Sequence, residues 1–579
     1  MKKVWIWVFV AVLCPMVALA ANGGKATDRV KPGSPVSLTA RDEAVVGPVA
    51  GAPAPRIPRY QGVSPSAGTY TTLEGWWNYQ SNGAVEFLEV DSSTGWIHAI
   101  MMVAADSSNQ SAFRRTAYAR STDGGATWDN FSNINVPSSR SGYPSMGILR
   151  GTTLPGAPVI ANHIADPNTS EIITSVHVGD TTAAPFGFSQ LSDLPDNMAD
   201  QPIWPMVTGA NDGSILVHSS FSDITTGRLN FINRTADYIT WGAWQEVPLT
   251  NAAGQGYVIF SNKNGKVGSI AMSDINGTPT FADTGVVLAQ STNNGATWGT
   301  WQAVFPNPYF QGADTLRTGM SLDAIYNGDE PMIVGDWAPM TPDGGWRYAG
   351  SRILFWSPTT GVRTAVPWDS LAYPSTLVSS HRYFLPVSFP SIGMSGSIIV
   401  VAFGFQPNNG ITDPVSGQYY HELGVVKSTD GGLTWSPPAN ITNTPYLDER
   451  YPSVSTYNES GYLNIVWQEC SNSGSYIPGD DEVGKNLARQ VFLKASLASL
   501  FLDNDITTLS VTAPPGGQGY TPGQTFTPRA VFRNTGIADQ TNIGVKFEIL
   551  AEGNPVPVYT DPQTIATLTA TSTQEVIFT

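Results

Sequence analysis

The chain has 579 residues, of which only 13% are charged, while Gly (57), Pro (43) and aromatics (11%) are plentiful. That balance suits an all-β protein with many tight turns. A formal charge of −16 with no basic cluster argues against nucleic acid or an anionic membrane as partner.

In chain order, the first element is a signal peptide over residues 1–20. "MKK" is its basic start, "VWIWVFVAVLCPMV" its apolar core and "ALA" its small-residue cleavage site. The apolar run falls short of the roughly 18 residues a membrane span needs, and no later run approaches that length. The mature protein is therefore expected to be secreted or held at the cell surface, and not membrane-spanning. Cys14 leaves with this segment, so Cys470 remains as a lone thiol and no internal disulfide can form. Residues 21–65 carry "KPGSPVSLTA" and "VGPVAGAPAPRIP", a Pro/Gly-rich leader.

From about residue 84 short apolar runs alternate with Gly, Asn and Asp turns, with no sustained helical period. One hairpin type recurs. Its copies include "AVEFLEVDSSTGWIHAIMMVA" from Ala84, "YPSMGILRGTTLPGAPVIANHI" from Tyr143, "PIWPMVTGANDGSILVHSS" from Pro202 and "YPSVSTYNESGYLNIVWQE" from Tyr451. Several open with Pro-Ser and a hydrophobic residue. Each hairpin is followed by one or two further strands, such as "RTAYARS" or "HELGVVKS". Four strands per unit at this spacing predict a β-propeller over residues 66–502. Seven units are counted, or six if the one from Tyr257 is misread. The seventh lacks an outer strand, which residues 66–82 are expected to supply. Residues 503–579 alternate apolar and polar over several strands and read as a small Ig-like β-sandwich.

An octapeptide punctuates the repeats: "STDGGATW" (Ser121, Asp123, Gly125, Thr127, Trp128), "STNNGATW" (Ser291, Asn293, Gly295, Thr297, Trp298) and "STDGGLTW" (Ser428, Asp430, Gly432, Thr434, Trp435). Each copy lies between two strands. An acceptor oxygen at the third position can bind turn N–H groups, Gly allows positive φ, and Trp is expected to pack back against its own blade. Asn293 keeps the acceptor but loses the charge. A turn tolerates that change and a catalytic acid does not.

These octapeptides resemble the Asp-boxes, or bacterial neuraminidase repeats, of the sialidase superfamily. The tail, with "FRNTG" followed by "VKFEI", resembles CARDB-type adhesion modules, and their usual last strands are missing after "EVIFT", so truncation is expected. The first resemblance implies a sialidase-type propeller. It implies less about activity, since Asp-boxes also occur in propellers that cleave other glycans or only bind. Sialidases clamp the substrate carboxylate with three arginines, attack with a Tyr assisted by a Glu, and use an Asp as acid/base. Their first arginine sits in an aromatic-Arg-Ile-Pro motif. Here "PRIPRYQG" offers Arg56, with Pro55 where the aromatic belongs.

In such a ring, the loops that lead into each inner strand and leave the second strand line one face. Those loops carry Arg140, Asp200, Asp314, Arg317, His381, Arg382, Asp448, Glu449 and Arg450, then His163, Asp166, Asp336, Trp337 and Glu469. The expectation is a polar funnel with Arg317, Arg382, Arg450 and Arg140 as ligand-binding groups, and Asp448 or Glu449 as acid/base. The competing expectation is solvated loop charge and blade-to-blade ion pairs. No Tyr–Glu pair can be named. No cofactor is expected, although "GDDEVG" and "LDNDIT" are candidate Ca²⁺ loops. Three readings stay open: an exported propeller that binds glycan or protein at the cell surface, a glycoside hydrolase (an exo-sialidase or relative) with a diverged site, or a structural repeat.

Overall fold

The computed structural model describes Trp7–Ala11 and most of residues 68–579. Residues 1–6 and 12–67 lie outside the described part, as do connecting segments, the longer ones being 181–186, 196–200, 221–228, 249–255, 274–284, 341–346, 369–384, 477–484, 515–524 and 551–556.

Seven antiparallel sheets, each built on four strands, follow one another along the chain. Blades 1 to 6 span 88–131, 141–190, 203–246, 257–305, 314–366 and 387–440. Blade 7 takes three strands from 448–496. Its outermost strand is Thr69–Gly75, paired with Ala488–Ser496, so the stretch proposed to close the ring does so. Inner and second strands are continuous apolar runs because both of their faces are covered. Ile97–Ala104, "IHAIMMVA", is buried at all eight positions.

Hydrogen bonds stitch every neighbouring pair of blades. Met146 N donates to Glu86 O just ahead of blade 1 (3.0 Å), Ser145 Oγ to Pro205 O (2.9 Å) and Tyr257 OH to Trp204 O (2.6 Å). Asn262 Nδ2 donates to Gly328 O (2.7 Å) and Ile392 N to Asp323 Oδ2 (2.7 Å). Val454 N reaches Ser391 Oγ (3.0 Å), and Phe87 N reaches Ser453 Oγ (2.9 Å) and closes the circle. The serines that opened the hairpins in sequence are these latches.

The octapeptides form the turns between third and fourth strands with one repeated bonding pattern. In the first copy Ser121 Oγ donates to Asp123 Oδ1 (2.8 Å) and accepts from Gly125 N (2.8 Å). Thr127 N and Oγ1 donate to the two oxygens of Asp123 (2.9 and 2.6 Å). Asp430 repeats this with Thr434. In the middle copy the Asn293 amide reverses one bond and donates to Thr297 Oγ1 (2.9 Å).

One expectation needs correction. Two of the tryptophans pack across to the preceding blade, because the turn overhangs it. Trp128 of blade 1 meets Phe492 of blade 7 edge-on (5.3 Å), and Trp435 of blade 6 meets Phe355 of blade 5 (5.3 Å). The turn is therefore a fastener between sheets, and such aromatic pairs contribute about 0.5–1.5 kcal/mol beyond area burial.

A second difference concerns blade 1. The strand predicted from Ala84 begins only at Leu88, and residues before it depart from the sheet.

The tail folds as two small sheets around Phe532, Val545, Phe547, Ile565 and Phe578. Trp7–Ala11, inside the segment read as a signal peptide, runs parallel to Lys546–Leu550 there. Five apolar residues have found an unpaired sheet edge.

The fastener role makes a prediction. Gly124 and Gly125 both hold positive φ (75° and 95°), but only at Gly125 would a Cβ collide, 2.2 Å from the Phe492 ring. Gly124→Ala is expected to cost about 1–2 kcal/mol from the left-handed backbone alone. Gly125→Ala adds about 1–3 kcal/mol of overpacking. Equal losses in denaturant titrations would remove the blade-to-blade account.

Candidate functional site

Strand direction alternates within each blade, so the starts of inner strands share one face of the ring, here the upper face, and the octapeptide turns share the lower one. Four inner strands repeat one irregularity at their upper ends. Tyr143, Trp204, Phe389 and Tyr451 all take positive φ (47°, 55°, 51° and 57°), and each precedes a proline. At each the pairing register slips. Proline removes a ladder donor and the bulge re-aims the neighbouring ring. A bulky residue in this backbone region is strained, and such strain persists only when its surroundings hold it. The four rings come from blades 2, 3, 6 and 7 yet share one apolar cluster with Trp77 and Tyr79, which places them at the axis.

The segment before blade 1 runs through that axis. Ser321 Oγ of blade 5 donates to Gly83 O (3.1 Å), Ala84 packs among Met206, Tyr257 and Trp337, and Phe87 N binds Ser453 of blade 7. Gln80 substitutes for a strand partner: its amide donates to Met102 O (2.9 Å) and accepts from Met102 N (2.9 Å). The centre of the ring is thus filled by the chain itself.

Beside this plug the upper face keeps a narrow cleft between Gln80, Ser81, Tyr143, Trp204, Met206 and Tyr257, with Ala84, Pro144 and Pro205 completing its wall. Its free volume is ≈ 20 Å³, room for about one water. The plug also brings two carboxyl groups together. Glu86 on the plug hydrogen-bonds Asp323 of blade 5; burial, then repulsion from Asp323, holds the Glu86 carboxyl well above its usual range, while burial raises Asp323 against the lowering effect of its bond with Glu86. Asp323 also accepts Ala324 N (2.6 Å) and Ile392 N (2.7 Å), so it carries the charge while Glu86 holds the proton.

The residues named from sequence are distributed differently from the funnel expected. Asp448 and Arg450 do come together, as a fully buried ion pair (Oδ2–Nε 2.7 Å). Asp448 Oδ1 also accepts His421 N (2.9 Å) and meets His421 Nδ1 (3.0 Å), while Arg450 donates to Gly474 O (2.8 Å) and Ser475 Oγ (3.0 Å). Glu449, between them on the same strand, points the opposite way. It is buried opposite Glu469, with Thr444 Oγ1 on its Oε1, and burial followed by the nearby Glu422 holds its carboxyl well above the usual range. None of the three faces an open funnel, because all lie on a strand flanked by blades 6 and 1.

Arg140 is buried and donates to Ser111 O (2.9 Å). Arg317 is buried on the inner strand of blade 5, where burial lowers its guanidinium to about 10. Asp314 is held by Arg347 (2.6 Å) and Arg352 (2.8 Å). Arg56, Asp200, His381 and Arg382 lie outside the described residues, as do "GDDEVG" and the first four residues of "LDNDIT". Among the described residues no group of three or more His, Cys, Asp or Glu is arranged to hold a metal.

A Tyr–Glu pair exists that sequence did not reveal. Tyr70 OH donates to Glu469 Oε1 (2.8 Å), but on the outermost strand of blade 7. Burial, then Glu469, pushes the Tyr70 phenol up, the reverse of what a nucleophile needs. The axial groups were missed too. The recurring aromatic-Pro step was the available signal for the rings; nothing marked Glu86 or Asp323.

Solved propellers resemble the chain. The arabinanase of Penicillium chrysogenum, solved with arabinobiose, is 12% identical at a TM-score of 0.39, covering 75% of this chain and 99% of its own. A Hadza microbial sialidase is 13% identical at 0.39, covering 74% and 69%. An ulvan lyase, bound to a GlcA–sulfated Rha unit, is 11% identical at 0.43, covering 74% and 99%. Likeness at this level carries no inference about chemistry. No protein-family model and no curated relative matches the chain.

Two substitutions separate the buried charges. Asp448→Ala strands Arg450 and His421 and is expected to cost about 3–5 kcal/mol. Glu449→Gln is expected to be neutral or stabilising at pH 7. A carboxyl raised in the fold binds its proton more tightly there than in the unfolded chain. Its contribution is therefore greatest at low pH and is lost as pH rises past the unfolded value near 4.5 and through the folded one. Denaturation of parent and variant between pH 5 and 8 checks this: the gap must widen in favour of the variant as pH rises.

Proposed function

We propose that the chain is an exported propeller that binds a glycan, or a glycan-bearing surface protein, at its upper face, without cleaving it. The aromatic cleft beside the axial plug carries this reading. Tyr143, Trp204 and Tyr257 line it beside Gln80 and Ser81, a wall of aromatic rings set among polar groups. Export rests on the N-terminal segment.

The alternative is a glycoside hydrolase with a diverged site, and the Glu86–Asp323 pair is what favours it. Two features weigh against it. The paired carboxyls touch, whereas a glycosidase keeps about 5 Å or more between them to admit the sugar or a water. Of the arginines expected as a clamp, Arg140, Arg317 and Arg450 are buried, and Arg140 and Arg450 bind their own surroundings.

Full-length protein assayed with fluorogenic sialosides and arabinosides, and in parallel on a glycan array, tests the choice. Array binding without turnover is the expected result. Turnover that disappears in Glu86→Gln would establish the hydrolase instead, and neither binding nor turnover would leave the cleft without a glycan role.

A further inference from the structure

We propose that the exported chain pairs with a second copy of itself through the edge of its C-terminal sheet, strand Gln540–Leu550 lying antiparallel to the same strand of the second copy about Phe547.

In the tail, Gln540–Leu550 pairs on one side with Pro557–Leu568. On its other side Trp7–Ala11 is the outermost strand, matched from Trp7↔Lys546 to Ala11↔Leu550. This edge therefore takes an added strand of five residues. Trp7–Ala11 belongs to the segment read as a signal peptide, and export removes it. The sheet is then a two-stranded hairpin with a row of unpaired backbone groups, a template for another strand. Proteins commonly blunt such an edge with proline or a bulge. Gln540–Leu550 contains no proline. Its irregularities sit toward the ends, at Asn542 (φ 53°) and Leu550, and the residues between, Ile543 to Ile549, pair in unbroken register with Ile565 to Tyr559.

Charge and face decide which strand fits. Lys546 and Glu548 share one face and form an ion pair (2.7 Å). Glu548 is buried where the N-terminal strand pairs, while Gly544, ahead of that strand on the same face, is exposed. In an antiparallel pair of copies centred on Phe547, Lys546 of each falls opposite Glu548 of the other. On the opposite face Val545 falls opposite Ile549, and Phe547 opposite itself. Val545 and Phe547 belong to the apolar cluster of the tail, and Ile549 packs against it, so the two clusters become continuous. Opposite-charge and apolar cross-strand pairs both favour this register. A slip of one residue would turn apolar positions toward the charged face. A slip of two sets Lys546 against Lys546, or Glu548 against Glu548. The edge is thus self-complementary in one register, as a two-fold contact requires. A dimer joined there carries two propellers, which is the arrangement multivalent attachment uses.

The test is sedimentation of the exported chain, beginning at Ala21, across a dilution series. A reversible dimer is expected. Lys546→Glu and Glu548→Lys are each expected to weaken it about tenfold or more, because like charges then face each other across the edge. Mixing the two variant chains restores opposite charges at both positions and is expected to recover dimers of near-parent affinity, as is the double exchange in one chain. If a variant unfolds, hydrogen exchange on the parent decides instead: amides within 545–549 must lose protection on dilution, and unchanged protection overturns the proposal. A chain that stays monomeric overturns it, including one whose tail captures an apolar peptide such as VWIWVFVA in place of a second copy. A dimer indifferent to both substitutions overturns it as well.

Discussion

A four-stranded sheet with two apolar faces cannot stand in water, and everything else in this molecule follows from covering those faces. Each blade is covered by its neighbours, so the structure is stable only as a closed ring. Closure depends on Thr69–Gly75, which leaves the N-terminal side of the chain to complete the last blade beside Ala488–Ser496. The serine latches near the axis and the octapeptide turns near the rim serve the same constraint at different radii. Near the axis, backbone groups of one blade bind side chains of the next. Toward the rim, Trp128 and Trp435 reach over the preceding sheet.

Closing the ring with an N-terminal strand has a cost in geometry that shapes the candidate site. The chain must travel from the outer edge of blade 7 to the inner strand of blade 1, and it crosses the upper face to do so. Residues 76–81 and 83–87 are the described part of that crossing. They fill the axis, leaving a cleft at the side of the plug instead of a central funnel. The strained aromatics on blades 2, 3, 6 and 7 wrap this crossing segment. Their backbone strain is thus partly a packing device, and only Tyr143 and Trp204 of the four also face the cleft.

The architecture was legible in sequence because its signals are local. Strand runs, turn residues and the octapeptide are read from neighbouring letters, and the missing outer strand showed as a gap at one end and a spare strand at the other. Partners across space were not legible. The spacing of Asp448, Glu449 and Arg450 says that the first and third share a strand face, but not that His421 and Gly474 bury them. Trp128 was expected to serve its own blade because Phe492 lies more than three hundred residues away. Glu86 looked like one more alternating strand residue, and only the departure of residues 84–87 from the sheet gives it a carboxyl neighbour.

The distribution of charge separates binding from catalysis more sharply than the fold does. A chain with so few charged residues has placed several of them at full burial, paired or protonated. Buried pairs of this kind lose more on breaking than they gain on forming, so Asp448 and Arg450 are poorly suited to exchanging partners with a substrate in each cycle. A catalytic acid must release and recover its proton near neutral pH. Glu449 and Glu86 are both held toward the protonated form by burial and by negative neighbours, with no described cation beside them to restore the balance. Those described carboxyls are set to hold the fold together and not to move a proton.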